Sequence, residues 1–431
     1  MLKRKIMSEL CRWKAQERKK CLIIKGARQV GKTFIIETFA KEQYENCIRI
    51  NFIENPAYAS IFEDALDAES ILSKISLRVR NASIVPGKTL LFLDEIQECP
   101  NARVALKFLS YNEKVDVIVS GSLLGIHYKE VSSFPVGYTN QLVLCSLDFE
   151  EFLWANGIGE GSIAQLRGYY ERHEAVPAAM HERMLELFRE YIVVGGMPNV
   201  VDTFIQNRDF QEVLRLQRAI LNDYTDDIAK YAKDSEKAKA RACFLSIPRH
   251  LAKDYKKFQY SLVESRGTST KFAGSLMWLY DAGIISFCYN LERPELPFEG
   301  SVREDCFKVY MRDTGLLLAM LEDGAQEDIM DGNLGIYKGA IYENIIADIF
   351  TKSGRKLYYF EHKSQLEIDF FIRYQRQLTA VEVKSADNTK AKSMTSIIDN
   401  WHVPHGIKLS TKNVGAAGQV ESLPLYMAMF L

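Results

Sequence analysis

The stretch CLIIKGARQVGKTFIIETFA constrains the fold of this chain more than any other. It begins with a short apolar run that breaks at Gly26, and helical spacing takes over from Lys32. Between them, Gly26, Ala27, Arg28, Gln29, Val30, Gly31, Lys32 and Thr33 fit the phosphate-loop pattern G-x-x-x-x-G-K-[ST] in full. The chemistry explains the residue types. Gly26 and Gly31 let the backbone turn its N–H groups inward around phosphate oxygens, and the start of the helix adds its positive dipole end. Lys32 is placed to reach β- and γ-phosphates, and the Thr33 hydroxyl to ligate Mg2+. ATP with Mg2+ is the expected cofactor.

Further nearly continuous apolar runs follow: IRINF at 48–52, TLLFLDE at 89–95, VDVIVSGS at 115–122 and QLVLC at 141–145. Such runs suit strands buried on both faces of a parallel sheet. Helix-length segments lie between them, at 32–40, 70–80 and 101–111, so the first 150 residues read as a doubly wound α/β domain. In LLFLDE a strand ends in two acids and delivers them to the carboxyl edge of the sheet, where the phosphate loop also lies. Asp94 is expected in the Mg2+ shell and Glu95 as the residue that polarises the attacking water. Ser120, at the same edge of the next strand, is a candidate sensor of the γ-phosphate or a plain strand-end serine.

With 431 residues the chain is too long for one ordinary core. Helical spacing dominates residues 151–236, where GGMP at 195–198 breaks two helices. Residues 237–310 read as three helices followed by a hairpin, with an edge strand near 307–310; this is the layout of a winged helix. Residues 311–431 begin with a helix at 341–351 and continue as short strands in KLYYFEH, EIDFFIRY and LTAVEVKS, a second α/β unit. No run approaches the ~20 apolar residues that span a bilayer, and the basic amino terminus reads as an amphipathic helix with Ile6, Leu10 and Trp13 on one side. The eight cysteines form no C-x-x-C pair, and Cys21 and Cys145 are expected as buried thiols. A cytoplasmic protein without membrane contact is expected. The 55 basic and 56 acidic residues nearly cancel, which neither supports nor excludes a nucleic-acid partner.

The phosphate loop, the acid-terminated strand and the Ser120 strand, in this order, resemble the AAA+ ATPases. SGSLLG at 120–125, SFPVG at 133–137, LDFEEFLWA and GGMP narrow the resemblance to a prokaryotic AAA-type group whose ATPase precedes a carboxy-terminal domain of unknown function. Many relatives carry an arginine after the glycine of SFPVG, where this chain has Tyr138. The resemblance also makes IPRHLAKDYKKFQYSLV and the following WLYDAGI a winged-helix segment, with Leu276, Trp278, Leu279 and Ile284 as core. Lys253, Lys256, Lys257, Arg266 and Lys271 are then either a face for DNA phosphates or an ordinary solvated face.

In the carboxy-terminal unit, Glu382 and Lys384 are two apart in a strand and project from one face, and Asp369 stands on a neighbouring strand. Two carboxylates and a lysine converging this way bind Mg2+ and orient water for phosphodiester cleavage. With Glu343 on the preceding helix, whose buried side carries Ile341, Ile345 and Ile349, the arrangement resembles the restriction-endonuclease-like PD-(D/E)XK fold. The resemblance matches Glu343, Asp369, Glu382 and Lys384 to that fold's acidic and basic positions, the three acids as its metal ligands. Intact residues fit a nuclease and a retained fold that only binds equally well. The expected partners are ATP, with DNA, another protein or a second copy of the chain at the far end.

Overall fold

The computed structural model describes residues 2–122, 137–231, 234–253, 256–331, 338–362, 366–384 and 392–431. Residues 123–125 of SGSLLG and 133–136 of SFPVG thus lie outside the described residues. The chain divides into two units: residues 4–145 with 281–283, and residues 1–3, 146–280 and 284–431.

The first unit begins with α1 (Ile6–Lys14), whose Ile6, Leu10 and Trp13 are buried on one side as the spacing predicts. There follow β1 (Cys21–Gly26), α2 (Lys32–Gln43), β2 (Asn46–Asn51), α3 (Ala68–Arg78), β3 (Thr89–Asp94), α4 (Pro100–Leu109), β4 (Val115–Ser122) and β5 (Thr139–Val143). The strands form one sheet in the order β2-β3-β4-β1-β5, and every pairing is parallel. Alternation explains the burial. Ile23, Ile50, Leu91, Leu93 and Val117 share one core with Ile71, Ile75, Ala105 and Leu106 of α3 and α4. Leu22, Ile24, Leu90, Phe92 and Ile118 are equally buried and by the two-residue period belong to the opposite face. Cys21 is buried and its thiol is pushed up to about 12 by that burial, whereas Cys145 is only half-buried, contrary to expectation. Its carbonyl accepts from the Arg4 guanidinium at 2.7 Å.

The second unit starts with helices α5 (Phe149–Ala155), α6 (Glu160–Glu171), α7 (Ala178–Val194), α8 (Pro198–Asn207), α9 (Phe210–Tyr231) and α10 (Asp234–Leu251). A reciprocal cap begins α5: Asp148 accepts from the Glu151 N–H at 2.9 Å and Glu151 from the Asp148 N–H at 3.2 Å. The glycine pair that separates α7 from α8 is required by close approach. Gly195 has φ 72°, and a Cβ on Gly196 would stand 2.1 Å from the Leu147 carbonyl oxygen.

Next come α11 (Tyr260–Val263), α12 (Ser269–Asp281), β6 (Ile285–Leu291), β7 (Val302–Met311), α13 (Thr314–Ala319), α14 (Ala325–Met330) and α15 (Lys338–Lys352). The end of the chain adds β8 (Leu357–His362), β9 (Leu366–Ile368), β10 (Phe370–Tyr374), β11 (Gln377–Val383), α16 (Lys392–Trp401), β12 (His405–Ser410), β13 (Gly415–Ala417) and β14 (Val420–Pro424). The β6–β7 hairpin is present, but β6 also pairs in parallel with β8, giving a sheet β7-β6-β8-β9. A second sheet runs β10-β11-β12-β14-β13. EIDFFIRY, read as one strand, divides at Asp369 between the two sheets. Helix α15 packs on β6, β7 and β8 of the first sheet and on β11 of the second. It is therefore buried over residues 340–350 on all sides, not on the isoleucine side alone. Among the described residues, no helix is long and apolar enough to cross a membrane.

Candidate functional site

The phosphate loop joins β1 to α2 and takes its shape from two left-handed residues, Gln29 at φ 66° and Gly31 at φ 90°. The second needs glycine, since a Cβ is strained at that φ. Lys32 is buried, and its ammonium donates to the carbonyls of Gly26 at 3.1 Å and Ala27 at 2.9 Å. It is thus folded back along the loop whose anion it is suited to hold. Arg4 fastens the loop from below, donating to the carbonyls of Val30 at 3.3 Å and Cys145 at 2.7 Å.

Asp94 ends β3 at the same carboxyl edge and is 1% exposed. Its carboxylate collects four partners: the Thr33 hydroxyl at 3.3 Å, the Asn51 amide at 3.1 Å, the Ser120 hydroxyl and the Arg49 guanidinium at 2.8 Å. Thr33, Asp94 and Ser120 are thereby brought together. Glu95 follows in a left-handed conformation, φ 55°, and the Gln97 amide donates to its carboxylate.

Arg49 and Asn51 were not among the expected residues. Both lie on β2, whose Asn51 is in register with Asp94 of β3. Arg49 also bonds Glu54 at 3.0 Å and lies 3.3 Å from Glu37. Asn51 accepts from the N–H groups of Ile53 and Glu54, which fixes the turn leaving the strand. Tyr138 lies elsewhere. It precedes Thr139, which pairs with Cys21, so it is a strand's length from Gly26, and its ring meets Tyr111 edge-on at 5.5 Å.

The donor set suits Mg2+-ATP. A hydroxyl next to a buried carboxylate, and a buried ammonium at the start of the helix that follows the loop, are the chemistry such a ligand requires.

The carboxy-terminal candidates come together differently. Phe370 pairs with Val381, which sets Asp369 opposite Glu382, and the Asp369 carboxylate accepts from the Val383 N–H at 2.7 Å. Glu382 pairs with the Lys384 ammonium through one oxygen, while its other oxygen is buried with no hydrogen-bond partner. Glu343 is 5% exposed and bonds Lys256, the Tyr310 hydroxyl donates to it at 3.2 Å, and the Lys308 ammonium stands 3.9 Å away as an ion pair. Burial, and then the nearby Glu343, push Asp369 up to about 8. Among the described residues, no three or more His, Cys, Asp or Glu side chains are grouped to hold a metal ion. The donors of Glu343 are already taken by ammonium groups, so these residues do not fit a resident divalent cation.

Residues 18–153 match the family model described as "AAA domain". Residues 185–327 match "Domain of unknown function (DUF8612)" and residues 338–423 "Domain of unknown function (DUF4143)". Among solved structures, the chain is similar to the Walker-type ATPase PABY2304 of Pyrococcus abyssi, at 13% identity and a TM-score of 0.45, over 74% of this chain and 96% of that one. It is also similar to the ORC1 protein of Aeropyrum pernix, solved in complex with DNA, at 13% identity and a TM-score of 0.30, over 77% and 92%. A Thermotoga maritima RuvB is similar at 13% identity and a TM-score of 0.29, over 65% and 87%. No curated protein matches the chain. The AAA match and the loop-to-acid geometry fall on the same stretch, residues 18–153, which is similar to an AAA domain.

Proposed function

We propose that this chain is a Mg2+-dependent ATPase whose nucleotide state controls a carboxy-terminal binding region. The observation that carries this reading is the convergence of the Thr33 and Ser120 hydroxyls on the Asp94 carboxylate beside the phosphate loop. In it, the loop N–H groups hold phosphate oxygens, and Lys32 exchanges the Gly26 and Ala27 carbonyls for the β- and γ-phosphates. Thr33 and Asp94 hold Mg2+, which neutralises charge on the phosphates when bound. Glu95, oriented by Gln97, draws the proton of the attacking water, and Ser120 turns its hydroxyl from Asp94 toward the γ-phosphate. Phosphate release from ATP tests the site. Lys32→Ala is expected to abolish it, because alanine offers no charge where negative charge develops. Glu95→Gln is expected to bind ATP nearly as wild type and turn over at least ~100-fold more slowly. Undiminished hydrolysis by Lys32→Ala would reject the nucleotide site.

For the remainder, a winged-helix and nuclease-like region that binds DNA is one reading. A protein-interaction switch with a catalytically inactive nuclease-like domain is the other, and a specific observation favours it. Of the basic residues suited to DNA phosphates, Lys256 pairs with Glu343 and Lys271 with Glu264, so their charges are already compensated. ATP hydrolysis measured with and without duplex DNA separates the two. Stimulation supports the DNA-binding reading, and indifference the protein switch.

A further inference from the structure

A loop that binds phosphate turns peptide N–H groups inward, and in a trans peptide this sends the attached carbonyl outward. Where that carbonyl is buried, it needs a donor of its own. The Val30–Gly31 peptide has one. The Arg4 guanidinium donates from Nη1 to the Val30 carbonyl at 3.3 Å and from Nη2 to the Cys145 carbonyl at 2.7 Å. Arg4 is 8% exposed and Val30 2%, so little water competes for these bonds. Val30 stands between the two left-handed residues of the loop, Gln29 and Gly31. Cys145 follows Leu144, whose N–H donates to the Lys25 carbonyl at 2.7 Å, so the second point of the fork is tied to β1. The Arg4 carbonyl accepts from the Met7 N–H, which makes Arg4 part of the first turn of α1. At the far end of α1, Trp13 Nε1 donates to the Lys20 carbonyl at 2.9 Å, just before β1 begins. The helix thus has one foothold before the strand and another on the loop after it.

The C=O and N–H of one peptide point in opposite directions, so a donor held on the Val30 oxygen decides where the Gly31 N–H points. A charged donor does more, since it polarises the peptide and makes that N–H a stronger donor in turn. Gly31 stands at the start of α2, where the first intrahelical bond runs from the Ile35 N–H to the Gly31 carbonyl at 3.0 Å. The N–H groups before Ile35 are those that a helix start offers to an anion. We infer that Arg4 is a positioning residue of the nucleotide site, holding the Val30–Gly31 peptide with its N–H aimed at the bound phosphates. A single hydrogen bond would let the peptide swing, and the second one, to Cys145, fixes the plane of the guanidinium. Arg4 acts through the loop and not on the reacting atoms. Its effect falls equally on bound ATP and on the transition state, so affinity changes more than turnover. This inference rests on the reading of residues 26–33 as a phosphate site.

The test measures Mg2+-ATP binding to the full-length chain by isothermal titration calorimetry, with turnover at saturating ATP read beside it. Arg4→Met keeps an apolar stem and loses the fork; it is expected to bind ~10-fold more weakly than wild type, the worth of one hydrogen bond to a charged group. Arg4→Gln, with one neutral donor, is expected to bind ~3-fold more weakly. Turnover should stay within about threefold of wild type in both, a split between affinity and rate that general loosening of the fold does not give. A second readout needs no nucleotide. In chains labelled with 15N-glycine, the Gly31 amide proton is expected to move upfield in Arg4→Met, because its peptide is no longer polarised. If Arg4→Met, shown folded by its melting curve, binds Mg2+-ATP within twofold of wild type, the guanidinium does not set the loop and the inference fails. Should methionine prevent folding, the same result in Arg4→Gln overturns it. Absence of binding by wild type itself would instead overturn the nucleotide site, and the inference with it.

Discussion

Replacing Gly26 by alanine tests whether the geometry of the phosphate loop, not only its residue types, sets the rate. Gly26 is the last residue of β1, and a Cβ added there would stand 2.3 Å from the Leu144 carbonyl oxygen and 3.0 Å from Val30 Cγ2. A real Cβ does not approach another heavy atom closer than 3.0 Å, so the loop and Leu144 must separate by at least about 0.7 Å. Leu144 has little freedom to yield, because its N–H donates at 2.7 Å to the carbonyl of Lys25, the residue just before the glycine. The start of the loop takes up the shift, and with it the carbonyl that Lys32 bonds. Overpacking of this kind costs ~1–3 kcal/mol of stability. A displacement near 1 Å at a reacting centre costs on the order of 100-fold in rate. Gly26→Ala is therefore expected to remain folded, to melt a few degrees lower, and to hydrolyse saturating Mg2+-ATP ~10- to 100-fold more slowly. Phosphate release and a thermal melt of the same preparation read both. Turnover within twofold of wild type in a folded variant would refute the reasoning, since it would mean that the loop tolerates the clash without moving its catalytic atoms.

Arg49→Ala removes the guanidinium from the nearly buried Asp94 and is expected to lower stability by ~1–2 kcal/mol without nucleotide. That loss should shrink with Mg2+-ATP, when Mg2+ supplies the missing positive charge; equal losses with and without Mg2+-ATP would rule out competition for Asp94. Asp369→Asn addresses pH. Burial and Glu343 raise this group to about 8, above the ordinary carboxyl value of ~3.9. Between those values the folded chain holds more protons than the unfolded one, so stability falls as pH rises through the window. The asparagine variant should therefore show a smaller change in urea midpoint from about pH 5 to about pH 8 than wild type, and an unchanged slope counts against the assignment.

The parts of the molecule that could be read from sequence are those whose chemistry is contiguous. Lys32 and Thr33 follow a glycine-rich turn, and Asp94 and Glu95 end an apolar strand, so local spacing alone placed them at one sheet edge. Arg49 and Asn51 escaped because their meaning depends on β2 lying next to β3, which no local pattern states. Arg4 reaches the loop across 26 residues by a contact to a carbonyl, a group common to every residue. The same reason separates Glu343, Asp369 and Glu382, which fit a known spacing, from Lys308, whose alternation in β7 looks like that of any exposed strand lysine. The isoleucine spacing of α15 predicts one buried side, yet residues 340–350 are buried throughout because two sheets pack on the helix. Asn344 carries no local signal either: it accepts from the Met311 N–H and donates to the Met311 carbonyl, so a polar residue there is fully buried.

The division of EIDFFIRY between two sheets bears on how the chain can be cut. The family match at residues 338–423 suggests a fragment that would carry β8 and β9 but leave β6 and β7 behind. In the whole chain β8 is an inner strand, paired along Leu357–Phe360 with β6. Cut free, it would show a row of open N–H and C=O groups beside the apolar Leu357, Tyr358, Tyr359 and Phe360, a template for pairing with other copies. Such a fragment should precipitate or oligomerise. One beginning before α10 keeps the strand covered and retains both Lys256 and Lys308, which makes it the sounder piece for crystallising the carboxy-terminal region.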